Sequence, residues 1–449
     1  MTNKNNYSLL VRWLRKYVIF TFRHFYGEYI VVGRENIPSD CPVIFAPNHL
    51  NALMDALAVH SIVDENRSVT FLARSDIFKN KLIAGFLHSI KIRPAFRMRD
   101  GIENLGKNSE IFDQCVEILH KNNALGIMPE GDQGEQQKLR TFTKGIFRIA
   151  FAAQQKYGSQ PGVKIVPVGI DFGDIVKFGK HIIINIGKPI EVSDYMSGYT
   201  ENPVSATNEI RDRLRKELSK ITLDLATENH YECFKIATEV ANMAILKNLN
   251  LPDQTIYRFL ARQKIAQKLV LLENNESQKI EELETLCSDY TNNLKEINLR
   301  SWVLEQAPFK TSSQVFDAII LLATLPVFIY GFILNFFPFL LPVILRKYLL
   351  KVQFFGFFSS IQYVFGILTF PIFYFLQTFI LAYIIPAPWW ILVLFFFSQY
   401  VVGEWALSWN GTFQKLLAKL RFRKLAREES PLLQKVQDSR KKIIQLILD

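Results

Sequence analysis

Pro47-Asn48-His49-Leu50-Asn51-Ala52-Leu53-Met54-Asp55 places one imidazole and one carboxylate close together, just after the apolar run Val43-Ile44-Phe45-Ala46. Histidine is the side chain best suited to move a proton at neutral pH, and a nearby carboxylate can fix its tautomer. On a continuous helix a six-residue step turns the chain by about 600°, which leaves the two side chains on different faces. His49 is therefore expected in the loop after a strand, and Asp55 in the first turns of the following helix. There Asp55 accepts from one ring nitrogen while the other faces a substrate. Such a pair alone is a weak signal in a chain this long. It gains weight from Met128-Pro129-Glu130-Gly131 downstream and from a C-terminal third of membrane character.

The elements that must position these residues alternate. Apolar runs at Tyr29–Val32, Val43–Ala46, Val69–Ala73, Ala124–Met128, Val163–Val168 and His181–Ile186 read as strands. Helix-like segments lie between them, near Asn51–Val63, Asp76–Ile90, Glu103–Lys121 and Phe142–Tyr157. Strands alternating with helices predict an α/β layer architecture with a largely buried sheet. Pro47, Pro129 and Pro167 each follow an apolar run and are expected to end strands. Polar residues at these strand ends would share one edge of the sheet, where α/β proteins place ligands.

The chain has 449 residues and a formal charge of +11, enough for two or three domains. A basic surface suits nucleic acid, an anionic membrane face or phosphorylated substrates. No zinc-finger or RNA-binding motif supports nucleic acid, so the membrane is preferred and no nucleic-acid partner is expected. The four cysteines, Cys41, Cys115, Cys233 and Cys287, are widely spaced and argue against a metal cluster or disulfide scaffold. Arg12, Arg15, Lys16, Arg23 and His24 interrupt the apolar residues of the N-terminus, so 1–28 reads as an amphipathic interfacial helix and not as a signal peptide. From 203 to 312 the sequence is charged and helical, a helical annex.

Three apolar runs follow: Ala318–Leu345, Phe357–Ile385 and Trp389–Trp409. The first is an almost uncharged run of 28 residues, and the other two are each long enough for a span of about 20 residues. Trp389, Trp390, Trp405 and Trp409 sit near the ends of the last, as an aromatic belt would. Cations at Arg346, Lys347 and Lys351, and from Lys415 to Arg427, put both flanks on the cytoplasmic side. The first run begins and ends on that side and is too short for two spans. It is therefore expected to form a re-entrant hairpin breaking near Asn335-Phe336-Phe337-Pro338. The membrane domain is 313–410, with a basic cytoplasmic tail at 411–449, and both termini are expected in the cytoplasm. Glu404 lies inside the last run and is assigned no function.

The order of these elements resembles the glycerolipid (PlsC-like) acyltransferase superfamily. It carries His49 and Asp55, then Pro94-Ala95-Phe96-Arg97-Met98-Arg99-Asp100, then Pro129-Glu130-Gly131, then Val166-Pro167-Val168-Gly169-Ile170. The C-terminal region further resembles the yeast-type glycerol-3-phosphate/dihydroxyacetone-phosphate acyltransferases. The resemblance implies an acyltransferase domain at 29–202, a mixed sheet flanked by helices, beside the annex and the α-helical membrane domain. It implies acyl transfer from acyl-CoA or acyl-carrier protein to a glycerol phosphate-type acceptor. His49 is implied as general base with Asp55 behind it; no covalent nucleophile, metal or bound cofactor is implied. Arg97 is the implied phosphate ligand, with Arg93 and Arg99 as neighbours that would equally suit a headgroup-facing patch. Glu130 would hold the glycerol moiety or position basic phosphate ligands, Gly131 would allow close backbone approach, and Lys144, in a basic segment with Lys138 and Arg140, would add to phosphate binding. Two departures stand out: the family usually has four residues between His and Asp, here five, and Asp132-Gln133-Gly134 replaces its hydroxyl residues after the glycine. Rivals are acylation of another lysolipid or lyso-aminolipid, and a non-catalytic membrane scaffold. Membrane lipids are expected partners, and a homo-oligomer is left open.

Overall fold

β-Branched runs bounded by loops build one mixed sheet of eight strands in the computed structural model, which describes residues 9–65, 67–78, 81, 84, 85, 88, 91–95, 105–158 and 162–449. The strands are β1 (Glu28–Val32), β2 (Val43–Pro47), β3 (Val69–Arg74), β4 (Ile92–Ala95), β5 (Ala124–Gly126), β6 (Lys164–Phe172), β7 (His181–Ile186) and β8 (Ile190–Glu191). Their order is β1-β7-β6-β2-β5-β3-β4, with β8 paired to β6. β2, β3, β4, β5 and β6 run parallel, whereas β7 and β8 lie antiparallel to β6. The C-terminal ends of β2, β5, β3 and β4 thus open on one edge, and β2 lies between β5 and β6 near the middle.

Several strand boundaries differ from those the apolar runs predict. β4 and β8 are additional, and β5 stops at Gly126, so Met128–Gly131 lies in the loop beyond it. Pro167 does not end its strand: β6 continues to Phe172, and the Pro167 carbonyl accepts from Gly187 N at 2.9 Å. The helix expected over Asp76–Ile90 falls largely outside the described residues, which show a short 3-10 turn at Ser75–Phe78.

The chain divides into two compact units. The first comprises residues 1–224 together with 354–360. Its core joins Ile44 and Ala46 of β2 and Leu125 of β5 to helices Leu105–His120, Gly145–Tyr157 and Pro203–Ile221. The last of these was expected in the annex. Its Ala206, Ile210, Leu214 and Leu218, spaced by four residues, form one apolar stripe buried in this core. Full burial of each leucine or isoleucine contributes roughly 1.5–3 kcal/mol, which the mixed charges on its outer face do not oppose.

Helix Leu9–Phe25 buries Phe22 and leaves Trp13 72% and Phe20 55% exposed. Arg15 caps the end of helix Ala52–Ile62 by donating to the carbonyls of Val63 and Asp64 at 3.2 Å each. Within the same neighbourhood, burial first, then the charges of Arg15 and Lys91, push His60 down to about 3. His60 is therefore neutral in the folded protein but charged in the unfolded chain below its ordinary value of 6.5. Its share of stability is full above that pH and is lost progressively as the pH falls toward 3. We expect His60→Leu to lose less melting temperature between pH 7 and pH 5 than the wild type. Identical pH slopes in thermal melts would remove His60 from the account.

The second unit, 225–353 with 361–449, is helical. Residues 411–449, expected as a basic cytoplasmic tail, are helical. Helix Trp389–Arg427 runs through their first part, and helix Pro431–Leu448 buries Leu433, Val436, Ile443 and Ile447. It packs on helix Ser277–Glu296, whose Ile280, Leu283, Cys287 and Tyr290 are buried in turn. Among the described residues three helices are long and apolar enough to cross a membrane: Leu325–Leu349, Phe355–Ile384 and Trp389–Arg427.

The predicted break at Asn335–Pro338 does not occur. Helix Leu325–Ile344 is continuous through it, and the chain interrupts its helix at Thr324. The reason is tertiary. Pro338 and Pro342 lack the N–H groups that would bond Leu334 and Pro338 carbonyls. Gln377 Nε2 donates to Leu334 O at 2.9 Å and Thr369 Oγ1 to Pro338 O at 3.1 Å instead. Freed carbonyls satisfied by a neighbouring helix let a proline-bearing apolar helix persist.

Candidate active site

β2 ends at Pro47, and its next residue locks the loop to β6. Asn48 Nδ2 donates to Ile170 O at 3.0 Å while Ile170 N donates to Asn48 Oδ1 at 2.7 Å. This two-bond clamp, buried with Asn48 5% exposed, starts the His49 loop from a fixed point. The five residues between His49 and Asp55 are absorbed by a non-helical Asn51 and by Ala52, whose φ of 40° lies in the left-handed region. A non-glycine residue there stores strain, which the bonds around it must offset. Helix Ala52–Ile62 then carries Asp55 in its first turn.

Asp55 is fully buried, and one of its oxygens collects the loop. Asp55 Oδ2 accepts from His49 Nδ1 at 2.9 Å, Leu50 N at 3.0 Å and Asn51 N at 2.7 Å. A carboxylate only accepts, so Nδ1 carries the proton and Nε2 is left as the basic nitrogen. The His49 side chain is 17% exposed, and Nε2 has no partner among the described residues. Asp55 Oδ1 is buried and likewise without a hydrogen-bond partner among them.

The loop after β5 supports the same histidine from behind. Glu130 Oε1 accepts from His49 N at 3.0 Å, and Glu130 Oε2 accepts from Arg140 Nε at 2.9 Å. Gly134 N donates to His49 O at 3.0 Å, so both backbone groups of His49 are held by this loop. Burial raises the Glu130 carboxyl above its ordinary value, opposed chiefly by the Arg140 charge and the bond from His49. Gly131 has φ 75°, and a Cβ there would lie 2.7 Å from Thr143 Cγ2. Glycine is required on both counts. Thr143 closes the loop by donating from N to Pro129 O at 2.7 Å.

The structure thus brings His49, Asp55, Glu130 and Gly131 together. Lys144 follows Thr143 and is exposed at the start of helix Gly145–Tyr157. Arg93 lies on β4, three strands from β2 and on the order of 14 Å away across the sheet; its Nη1 is 2.8 Å from His88 Nδ1. Arg97 and Arg99 lie outside the described residues. Arg140 is the residue that motif reasoning undervalued: it was visible only as part of a basic segment. Its Nε pairs with Glu130, and its Nη2 is buried with no hydrogen-bond partner among the described residues. Among those residues no group of three or more His, Cys, Asp or Glu is placed to hold a metal ion. The constellation can take a proton at His49 Nε2 and offers an unpaired guanidinium N–H behind it.

Residues 28–171 match the family model described as Acyltransferase. The chain is 26% identical over 159 residues to the chloroplastic 1-acyl-sn-glycerol-3-phosphate acyltransferase LPAT1 of Arabidopsis thaliana, covering 35% of this chain and 40% of that protein. It is 26% identical over 136 residues to Glycerol-3-phosphate O-acyltransferase 1 of Saccharomyces cerevisiae, covering 30% of this chain and 17% of that one. The matches therefore span well under two thirds of either relative. Among solved structures, the 1-acyl-sn-glycerophosphate (LPA) acyltransferase PlsC of Thermotoga maritima aligns with TM-score 0.32 at 21% identity, over 46% of this chain and 86% of that one.

Proposed function

From a domain of the acyltransferase family across residues 28–171, we propose that the protein is a membrane-bound O-acyltransferase. It moves a fatty acyl group from acyl-CoA or acyl-carrier protein to a glycerol phosphate-type acceptor, glycerol 3-phosphate or its 1-acyl ester. The observation that carries this reading is the 2.9 Å bond from His49 Nδ1 to buried Asp55, which leaves Nε2 free at the end of β2. The names of the relatives, which act on glycerol 3-phosphate and 1-acyl-glycerol 3-phosphate, supply the acceptor class.

In the proposed reaction His49 Nε2 takes the proton from an acceptor hydroxyl as its oxygen attacks the thioester carbonyl. The C–O bond forms, the tetrahedral intermediate collapses, and the C–S bond breaks. The leaving sulfur then takes the proton back from His49, so ester and thiol are released and the histidine is regenerated. Asp55 keeps the ring oriented and stabilises the imidazolium formed midway. Glu130 acts by holding His49 N and Arg140. Arg97, with Arg93, Arg99 and Lys144 as further cations, is assigned to the acceptor phosphate. The reaction balances with no bound cofactor.

The large exposed apolar residues of the three long helices, such as Ile333 at 63%, Phe379 at 72% and Phe397 at 64%, support a place in the bilayer. Exposed Trp13 and Phe20 support helix Leu9–Phe25 lying in the interface. The cations that flank the apolar helices support a cytoplasmic side for the catalytic unit. Both termini on that side require an even number of full crossings, so one of the three apolar helices would not cross.

An acceptor panel assayed with the purified protein and both donor types tests the reading. Glycerol 3-phosphate or its 1-acyl ester should be acylated at least tenfold faster than glycerol and monoacylglycerol. Equal rates on phosphate-free acceptors would overturn the acceptor class, and phosphate-free lysolipids as sole substrates would favour the lyso-aminolipid rival.

A further inference from the structure

Residues 354–360 lie far beyond the matched domain in sequence, yet they belong to the first unit and close over the His49 loop. Ser359 Oγ donates to Asn51 Oδ1 at 2.6 Å. Ser360 Oγ accepts from Leu53 N at 3.2 Å and donates to Asn51 O at 3.4 Å. Asn51 and Ser359 are fully buried and Ser360 is 5% exposed, so these bonds are shielded from water. The approach depends on Gly356: a Cβ there would overlap Gln133 Nε2 and lie 3.1 Å from Leu50 O. Gln133 Nε2 itself donates to Leu50 O at 2.9 Å. Leu50 and Asn51 are the two residues whose N–H groups hold Asp55 Oδ2 beside His49. The loop also contains Ala52 with its left-handed backbone, which needs external bonds to persist.

We propose that Ser359 and Ser360 are positioning residues for acyl transfer, fixing Asn51 and Leu53 so that Asp55 stays aligned on His49. The proposal rests on the acyltransferase reading above. It makes the catalytic loop complete only when a segment from outside the family domain is docked on it. That segment is also the start of helix Phe358–Ile384, whose later residues are apolar enough for a membrane span. A single stretch of chain therefore both braces the base and leads into the candidate span.

The test compares full-length wild type, Ser359→Ala, Ser360→Ala and Ser359→Thr in the acyl-transfer assay, at a temperature well below the lowest melting point of the four. Losing one or two buried hydrogen bonds should lower kcat by on the order of tenfold in the alanine variants. The KM values for acceptor and donor should stay within twofold, because neither serine contacts substrate. Ser359→Thr, which keeps the hydroxyl, should recover most of the lost kcat. An active wild type with unchanged kcat in both alanine variants overturns the proposal, as does a raised KM with kcat intact, or a threonine variant as impaired as alanine. A wild type that forms no ester overturns the acyltransferase reading itself, and the positioning role with it.

Discussion

His49→Ala should lower kcat/KM for acyl transfer by roughly 10²–10⁴-fold, the range a positioned general base contributes, with little change in melting temperature. The side chain is partly exposed and makes one hydrogen bond, to Asp55 Oδ2. That oxygen keeps two backbone donors, Leu50 N and Asn51 N, when the imidazole is gone. Folding therefore loses about one hydrogen bond, near 1 kcal/mol, while the chemistry loses its base. Asp55→Asn should behave differently. An amide can turn its one oxygen to the three donors of Oδ2, but they then bond a neutral group in place of a charged one. Its NH2 takes the buried, partnerless place of Oδ1, so stability should fall together with rate. Variants that both melt early, or that both keep their rate, would contradict the assignment of separate roles. The comparison is read in kcat/KM and in thermal melts of the same preparations.

The second large effect is expected at Glu130. Its two oxygens join His49 N to Arg140 Nε, and its side chain is 3% exposed. Glu130→Ala strips the anchor from the backbone of the proposed base and leaves Arg140 without its partner. Removing one member of a buried ion pair costs about 3–5 kcal/mol; Arg140 is 33% exposed, which points to the lower end. We expect a melting point several degrees lower and at least a tenfold loss of kcat. Glu130→Gln keeps an acceptor for His49 N and should retain more activity than alanine. Combining Glu130→Ala with Arg140→Ala should cost less stability than the sum of the two single changes, since the unpaired cation is gone. Strict additivity in denaturant titrations would mean that the pair is not coupled.

Much of this site is legible in the sequence. The six-residue step from His49 to Asp55 cannot share one helix face, which placed the histidine in a loop and the aspartate in a helix. The apolar run ahead of Pro47 marked the strand that delivers them. The role of Glu130 was less legible. The resemblance implied either a hold on the glycerol moiety or the positioning of phosphate ligands; one oxygen does pair with Arg140 of the basic segment, while the bond from His49 N had no motif to announce it. Arg140 sits in a loop with no periodicity to aim it, so its pairing follows only from the turn that Gly131 and Thr143 close. Ser359 and Ser360 were invisible for a different reason: hydroxyls in an apolar run carry no motif, and their partners are more than 300 residues away. The same limit explains Pro338 and Pro342. Read locally they should break a helix, but Gln377 and Thr369 take up the freed carbonyls. Helix Pro203–Ile221 was assigned by its charges to the annex, although its buried stripe at 206, 210, 214 and 218 decides where it packs.

The most direct test of the central claim counts thiol and ester together. Full-length wild type and His49→Ala, matched for melting temperature, are given a labelled acyl thioester with and without glycerol 3-phosphate or its 1-acyl ester. Free thiol and labelled ester are followed in the same samples. A general-base role for His49 requires acceptor-dependent thiol release by the wild type, one thiol for each ester formed, and a rate at least a hundredfold lower in the variant. Thiol release without ester, or equal ester formation by both proteins, would contradict it.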